Sequence, residues 1–142
     1  LLDVLVSFGV DVKYARVQEI RDSVLKSFPR ARDWVKNEVF KAKKLKYIST
    51  IGGRKLPIVD GNKIVNYKIQ GSASDIMKLI LFNLYCMSFT ILSSIHDEVI
   101  VEIKQEEIDK VHVVRHIMEK SFQLKNVPIK ADCKILNSWG EK

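Results

Sequence analysis

Apolar side chains recur at three- and four-residue intervals along much of this chain, which is the spacing of residues that share one face of a helix. Proline ends one helix and fits well in the first turn of the next, so Pro29 marks a boundary between two of the predicted helices. Residues 1–8 predict the end of a further helix, with Gly9 as its stop signal. The four main predicted helices cover residues 14–28, 29–45, about 64–85 and 106–124.

Shorter runs that are rich in β-branched and aromatic residues predict the strands. Gly52 and Gly53 suit the turn of one hairpin, and His96, Asp97 and Glu98 lie between the strands of another. Helices and a few antiparallel strands in this order predict an α+β fold, a small antiparallel sheet with flanking helices. The predicted strands cover residues 47–51, 54–59, 89–95, 99–103 and 127–135, with a further turn over residues 60–62.

The composition adds a preference for a negatively charged partner. The 142 residues include 24 lysines and arginines against 17 acidic residues, a net charge of +7. Basic side chains neutralise phosphates and release counterions, although a basic soluble protein need not bind nucleic acid. Lys41, Lys43, Lys44 and Lys46 form a run that is either a solvated helix face or a patch that contacts phosphates.

Several classes of site find no support in the sequence. Cys86 and Cys133 are far apart and outside metal-ligand spacing, which is typical of reduced thiols in an intracellular protein, whether of the cytoplasm, nucleoid or nucleus. His112 and His116 are four apart, but no third ligand accompanies them, so we interpret them as ordinary helix residues. The sequence has no P-loop, dinucleotide motif or nucleophile elbow, and no segment apolar enough to predict a membrane span.

His96, Asp97 and Glu98 are the strongest candidates for chemistry. Three polar residues at a turn are usually just solvated, but these lie between two apolar runs that predict strands buried in a sheet. A carboxylate fixed there is costly unless it is paired or binds a cation. Mg²⁺ often uses only one or two protein carboxylates together with substrate phosphates. The pattern therefore fits a two-metal phosphoryl-transfer site at this turn.

Asn66 and Gln70 are four residues apart, so they share one face of the predicted helix. One interpretation is a capping residue and a surface amide. The other is a pair of amides that face a groove and bind the acceptors that base pairs share in the DNA minor groove. The small residues that follow, from Gly71 to Ser74, would let another backbone approach closely.

Taken in order, these motifs resemble the C-terminal palm portion of family A DNA polymerases of the bacterial polymerase I type. Residues 66–78 (NYKIQGSASDIMK) are similar to the family's Asn-x-x-x-Gln-Gly-[Ser/Thr]-Ala-Ala-Asp-x-x-Lys helix, with Ser74 in place of an alanine. Residues 47–57 (YISTIGGRKLP) resemble its Gly-Arg-rich hairpin, with one basic residue fewer. The resemblance extends to residues 28–34, 96–98, 127–129 and 138–139.

The resemblance implies a role for each matching residue. Asp97 would be a catalytic ligand of Mg²⁺ and Glu98 a second acidic residue beside it. His96 would contact the phosphate near the primer end, while Asn66 and Gln70 would bind the minor groove. The remaining candidates, Arg54 and Lys55, belong to a hairpin that would touch the duplex backbone. The implied partners are primer–template DNA, deoxynucleoside triphosphates and the remainder of the polymerase, with no membrane.

Two departures from the family lead us to expect a fragment of a longer or split polymerase. The family's first motif, with the other metal-binding aspartate, is not found, because Asp3 and Asp11 lie in unrelated contexts. The nucleotide-binding fingers helix is also missing. A further, smaller difference is that residues 56–66 form a shorter segment than usual. We expect residues 1–46 to be fingers-proximal helices and residues 47–142 to be palm. The alternative is a non-catalytic DNA-binding remnant of the same fold.

Overall fold

A computed structural model describes residues 7, 9, 13–58 and 63–141 of the chain. Two helices come first in the continuous part that it describes. Helix α1 spans Tyr14–Ser27 and helix α2 spans Pro29–Leu45, as the apolar spacing predicts. Pro29 occupies the first turn of α2, where a missing N–H costs no helical hydrogen bond. The helix predicted over residues 1–8, apart from Ser7, and the turn predicted over residues 60–62 lie outside the described residues.

A short hairpin follows α2. Strand β1 spans Tyr47–Ser49 and strand β2 spans Lys55–Pro57, so both are shorter than the sequence predicts. The reason lies in the residues between them, which close a tip on themselves. The Thr50 N–H donates to the Arg54 carbonyl at 2.9 Å, and the Gly53 N–H donates to the Thr50 carbonyl at 3.1 Å. Gly53 has a φ of 84°, a conformation that glycine adopts without a steric cost.

Helix α3 spans Ile64–Cys86 and is the longest helix among the described residues, 23 residues in all. Its predicted extent is confirmed. The chain then reverses sharply: the Phe89 N–H donates to the Leu84 carbonyl at 3.1 Å, and Ser88 has a φ of 62°. This reversal ends the helix and starts the next strand only a few residues later.

The second hairpin consists of strand β3, Thr90–Ile95, and strand β4, Glu98–Glu102, which pair antiparallel. Ile91 pairs with Val101 and Ser93 with Ile100, so Leu92 has no cross-strand partner and forms a β-bulge. The two hairpins form two separate two-stranded sheets within the part of the chain that is described.

The predicted helix over residues 106–124 is shorter and divided. A 3₁₀ segment spans Gln105–Lys110, and helix α4 spans Val111–Lys120. Glu107 has non-helical angles, φ −111° and ψ 17°, which interrupt the ladder before α4 begins. After α4, the Ser121 hydroxyl donates to the Ile117 carbonyl at 2.6 Å, the kind of local bond that competes with a continuing helix.

The prediction of a strand over residues 127–135 is wrong. Its side chains do alternate between exposed and half-buried from Pro128 to Lys134, but this segment pairs with no strand in the described part of the chain. The Ala131 N–H donates instead to the Glu119 carboxylate at 3.2 Å. Cys133 and neighbouring residues face α4 around a small cavity of about 210 Å³. Packing against a helix therefore replaces pairing with the hairpin.

The described residues fall into two compact units, each with its own apolar core. One comprises Leu1–Ile48 with Lys55–Tyr67, and the other Ser49–Arg54 with Lys68–Lys142. The first core is centred on Ala42, Ile48 and Ile64. In the second, Ile80, Leu84 and Val114 are buried, and side chains of β3, β4 and α4 pack against them; these include Ile91, Val99, Val101, Ile117 and Met118.

Leu84 is fully buried, with 0% of its surface exposed, so we predict that Leu84→Ala destabilises the chain. Loss of the buried side chain and the cavity it leaves should lower the free energy of unfolding by about 2–5 kcal/mol. Urea denaturation monitored by circular dichroism measures this change. Leu92→Ala is the control, because Leu92 is 61% exposed, and it should alter the same quantity by no more than about 0.5 kcal/mol.

Candidate active site and nucleic-acid interface

The β3–β4 hairpin presents its acidic residues at a two-residue turn. Ile95 pairs with Glu98, which leaves only His96 and Asp97 in the loop between the strands. The sequence prediction placed Glu98 in the turn as well, whereas it is the first residue of β4. All three polar side chains of this segment are exposed. Asp97 therefore projects from a tight loop whose geometry is set by the pairing on both sides.

His96 has a left-handed backbone, with a φ of 55°. Histidine visits this region more often than most residues, but a non-glycine residue there still carries a steric cost. Residues in such conformations concentrate at functional sites, where the surrounding structure holds them in place. The turn thus keeps a side chain with a polar imidazole where glycine would be less strained.

The hairpin lies against the apolar face of α3. Ile91, Val99 and Val101 belong to the cluster around Ile80 and Leu84. The strand starts directly after the helix ends, and the Phe89 N–H donates to the Leu84 carbonyl at 3.1 Å, so the hairpin begins beside the buried end of α3.

Gln70 and Asn66 are both exposed and lie one helical turn apart on α3. Farther along the same face, Ala73 is exposed and Met77 packs against the core beneath the hairpin. This face therefore passes from exposed amides to buried apolar side chains within three turns. An amide in this position is neither a helix cap nor part of the core, and it can donate to or accept from a bound molecule.

Arg54 and Lys55, the two basic residues of the β1–β2 hairpin, have different surroundings. The Arg54 Nε atom donates to the Asp75 carboxylate at 2.8 Å, and its Nη2 atom donates to the Gly71 carbonyl at 3.1 Å. The Lys55 Nζ atom lies 4.8 Å from the centre of the Tyr47 ring, within range of a cation–π interaction, and the lysine is exposed. Nothing in the sequence alone distinguishes these two cations.

Asp75 is the residue whose role sequence reasoning missed. Its carboxylate accepts hydrogen bonds from the Thr50 hydroxyl and the Arg54 guanidinium. The Ile51 N–H donates to the Ser72 hydroxyl at 3.0 Å, which attaches the tip a second time. We refer to Thr50, Arg54, Ser72 and Asp75 as the tip clasp. The sequence signal that could have indicated this role is that Asp75 is the only acidic residue of α3 and follows a run of small residues.

The clasp carboxylate is ionised at neutral pH. The bond from the Thr50 hydroxyl, with a further contribution from Arg54, lowers the pKa of Asp75 below its ordinary value, against the opposing effect of burial. Because this pKa is lower in the folded than in the unfolded chain, the clasp stabilises the fold at neutral pH. That contribution is lost only as the pH falls through the lowered pKa.

Asp97 and Glu98 form a donor set that fits Mg²⁺. Both are exposed carboxylates, the hard oxygen ligands this ion prefers, and they are adjacent at the end of a paired hairpin. Within the described ranges, no group of three or more histidine, cysteine, aspartate or glutamate side chains is arranged to hold a metal. These two residues could therefore supply part of a metal site, together with oxygens from substrate or from other protein groups.

The remaining candidates are spread over both units. Lys41, Lys43, Lys44 and Lys46 are all exposed, and Lys41 forms an ion pair with Glu38 at 3.2 Å. Lys46 ends α2 in a left-handed conformation, with a φ of 65°. His112 and His116 are exposed on α4. No helix in the described part of the chain is both long and apolar enough to cross a membrane.

Comparison with known proteins decides the family. The model of the family described as DNA polymerase family A matches residues 5–141. The chain belongs to DNA polymerase family A. DNA polymerase I of Aquifex aeolicus is 29% identical over 93% of the chain, and this match covers 25% of the relative. For DNA polymerase I of Borreliella burgdorferi the identity is 28%, over 84% of the chain and 15% of the relative.

A solved family A structure has the same fold. The POL domain of Pol1 from M. smegmatis, in complex with DNA primer-template and dNTP, superposes with a TM-score of 0.70 and 25% identity. The match covers 89% of the chain and 25% of that structure. The predicted α+β fold and the family resemblance are thereby confirmed. The chain spans a quarter or less of the length of these relatives, so it corresponds to one segment of the polymerase.

The left-handed turn residue gives a testable prediction about stability. His96→Gly should keep the free energy of unfolding or raise it by up to about 1 kcal/mol, because glycine adopts a positive φ without strain. His96→Val should lower it by about 1–2 kcal/mol, since a β-branched side chain clashes in that conformation. Urea unfolding of both variants measures the difference. Equal destabilisation by glycine and valine would show that the imidazole, rather than the backbone, holds the turn.

Proposed function

We propose that this chain is the C-terminal part of a family A polymerase domain and takes part in template-directed DNA synthesis. The observation that carries the proposal is the Asp97 carboxylate, presented at a two-residue turn of a hairpin packed on α3. Membership of the family supports it, since relatives named DNA polymerase I match most of the chain. The reaction would be transfer of a nucleotide onto the 3′ end of a primer.

Asp97 and Glu98 would hold Mg²⁺ in this proposal. When bound, the metal would activate the primer hydroxyl and stabilise the leaving pyrophosphate. The contribution of the chain is to hold two carboxylates at a fixed place. Pairing of Ile95 with Glu98 and packing of Val99 and Val101 against α3 restrict the backbone next to the ligands. Further ligands would come from the remainder of the polymerase.

DNA contacts would come from exposed polar side chains of α3, of the β3–β4 turn and of the other hairpin. Gln70 and Asn66 would donate hydrogen bonds to acceptors in the minor groove, which all base pairs share, so sequence preference is not expected. His96 would contact the phosphate near the primer end. Arg54 and Lys55 would belong to a hairpin that touches the duplex backbone. The M. smegmatis structure, a complex with DNA primer-template and dNTP, supports these partners by similarity.

The proposal extends to how the chain divides within the polymerase. Residues 1–46 would be the fingers-proximal helices and residues 47–142 the palm. The remainder of the polymerase would supply the second metal-binding aspartate and the site for the incoming nucleotide. A non-catalytic DNA-binding remnant is the competing function, and substitution of Asp97 separates the two.

We predict that Asp97→Asn, in the polymerase that contains this segment, lowers the rate of primer extension at least ~10²-fold, because a lost metal ligand removes several kcal/mol of transition-state stabilisation. Affinity for primer–template should change little, since phosphate contacts come from basic residues. Single-turnover extension and fluorescence anisotropy measure the two quantities. Asp132→Asn, an exposed carboxylate outside the hairpin, is the control. Near-normal extension by the Asp97 variant would favour the remnant.

We also predict that the chain binds duplex DNA weakly, without sequence preference and with a strong salt dependence, because its net charge is +7. Each phosphate contact contributes about −0.9 to the slope of log affinity against log salt. Substituting alanine for Lys43, Lys44 and Lys46 together should flatten that slope by up to about 2.7. The control replaces three other exposed lysines with alanine: Lys125, Lys130 and Lys134. This variant should keep nearly the wild-type slope, with only the small reduction that a lower net charge causes.

The outcome of this lysine experiment decides between the two interpretations of the run. If both triple variants give the same slope, Lys43, Lys44 and Lys46 belong to a solvated surface and do not contact phosphates. The proposed DNA function would then rest on the acidic hairpin and the family alone.

A further inference from the structure

The tip of the β1–β2 hairpin is attached to α3 by one ionised side chain with several donors. The Asp75 carboxylate is 14% exposed and lies beneath the tip, while Thr50 is 6% exposed. A buried hydroxyl and a carboxylate in contact are costly to separate, because each would lose its partner without full access to water. Such a saturated carboxylate acts as a rigid attachment point.

The approach of the tip to Asp75 is close enough to require glycine. A Cβ atom at Gly52 would lie 2.9 Å from an oxygen of the Asp75 carboxylate and 3.1 Å from its Cβ atom. The Asp75 side chain cannot turn away easily, since Thr50 and Arg54 fix it from two other directions. The close packing of the tip on α3 therefore depends on two residues: Gly52, which has no side chain, and Asp75, whose carboxylate is held in place.

The clasp also occupies the Arg54 guanidinium. Its Nε and Nη2 atoms lie at 2.8 Å from the same Asp75 oxygen, and Nη2 also donates to the Gly71 carbonyl. A guanidinium whose donors serve a carboxylate has less charge to offer a DNA phosphate. Arg54 is itself 40% exposed, so what separates the two cations is the partner: Lys55, which is also exposed, contacts the Tyr47 ring.

We propose that Asp75 and Arg54 are positioning residues: they hold the hairpin tip on α3 in the orientation that contacts duplex DNA, and Arg54 does not itself bind phosphate. This inference rests on the proposed function for its DNA part. It deepens that function, because it divides the two hairpin cations into one that orients the tip and one, Lys55, that contacts the duplex.

Asp75→Asn tests the proposal, because simple electrostatics predicts the opposite result. The substitution raises the net charge by one, which alone would strengthen DNA binding. We expect duplex affinity to fall about 3- to 10-fold, and hydrogen exchange at the Ile51 amide, which donates to Ser72, to accelerate by a similar factor, as loosening of the tip implies. Anisotropy across a salt series and exchange measured by nuclear magnetic resonance give the two readouts.

Glu107→Gln is the matched control. It removes one negative charge from another carboxylate that pairs with a basic side chain, the Lys110 Nζ at 2.6 Å. Its affinity for duplex should equal that of the wild type or exceed it slightly, and exchange at Ile51 should not change. If Asp75→Asn behaves like this control in both readouts, the proposal is overturned.

Arg54→Gln and Lys55→Gln separate orientation from phosphate contact. Lys55→Gln should reduce the salt slope by about 0.9, whereas Arg54→Gln should weaken binding with a smaller change in slope. The double variant of Arg54 and Asp75 should be no weaker than either single variant, because both remove the same clasp. A full loss of 0.9 in slope on Arg54→Gln, with unchanged Ile51 exchange, would identify a direct phosphate contact and overturn the proposal.

A second pair of variants guards against a failure to fold. Thr50→Val removes the hydroxyl with little change in shape, while Thr50→Ser retains it. The valine variant should reproduce the effects of Asp75→Asn, whereas the serine variant should keep the wild-type duplex affinity and the wild-type exchange rate at Ile51. Equal behaviour of the two variants would contradict the proposal. If the wild-type chain shows no salt-dependent DNA binding, the proposed function fails. The exchange experiment then still decides whether the clasp holds the tip.

Discussion

The candidate site depends on one interface, the apolar face of α3 that supports the β3–β4 hairpin. A two-stranded hairpin is at best marginally stable in water, so its strands need a surface to pack on. Ile80 and Leu84 supply that surface, and Val99 and Val101 cover it. The conformation of the turn, the position of Asp97 and the left-handed backbone of His96 are held only as long as this contact persists.

The same helix carries three functions on two faces. One face leaves Asn66 and Gln70 exposed near its start and buries Ile80 and Leu84 farther along. On the opposite face, Asp75 lies under the tip of the first hairpin. A rigid helix therefore fixes the second hairpin and the hairpin tip through one backbone. Small shifts of α3 would be transmitted to both, because packed interiors deform little.

Much of the fold follows from the sequence because its signals are local. The spacing of apolar residues gave α1, α2 and α3 to within about a residue, and Pro29 fixed the boundary between the first two. The segment over residues 127–135 alternates as a strand does, yet pairing depends on which surface lies nearby, and here that surface is α4. Periodicity describes the faces of a segment but not its neighbour.

The site was less accessible to local reasoning. The resemblance placed Asp97, Glu98, Asn66 and Gln70 as candidates, and their roles remain proposals that geometry supports. The tip clasp joins Thr50 to Asp75 across 25 residues of chain, so no spacing rule could reveal it. Only the three-dimensional contact distinguishes Arg54, whose guanidinium binds a carboxylate, from its neighbour Lys55.

The bulge at Leu92 determines where the second hairpin can change length. Because Leu92 lacks a cross-strand partner, deleting it would leave every existing pair in register, including Ile95 with Glu98. A one-residue slip in the pairing of β4 would instead reverse which of its side chains face the core, moving Val99 and Val101 toward solvent. What the bulge contributes is a local bend and extra twist in β3, which sets the direction in which the turn points.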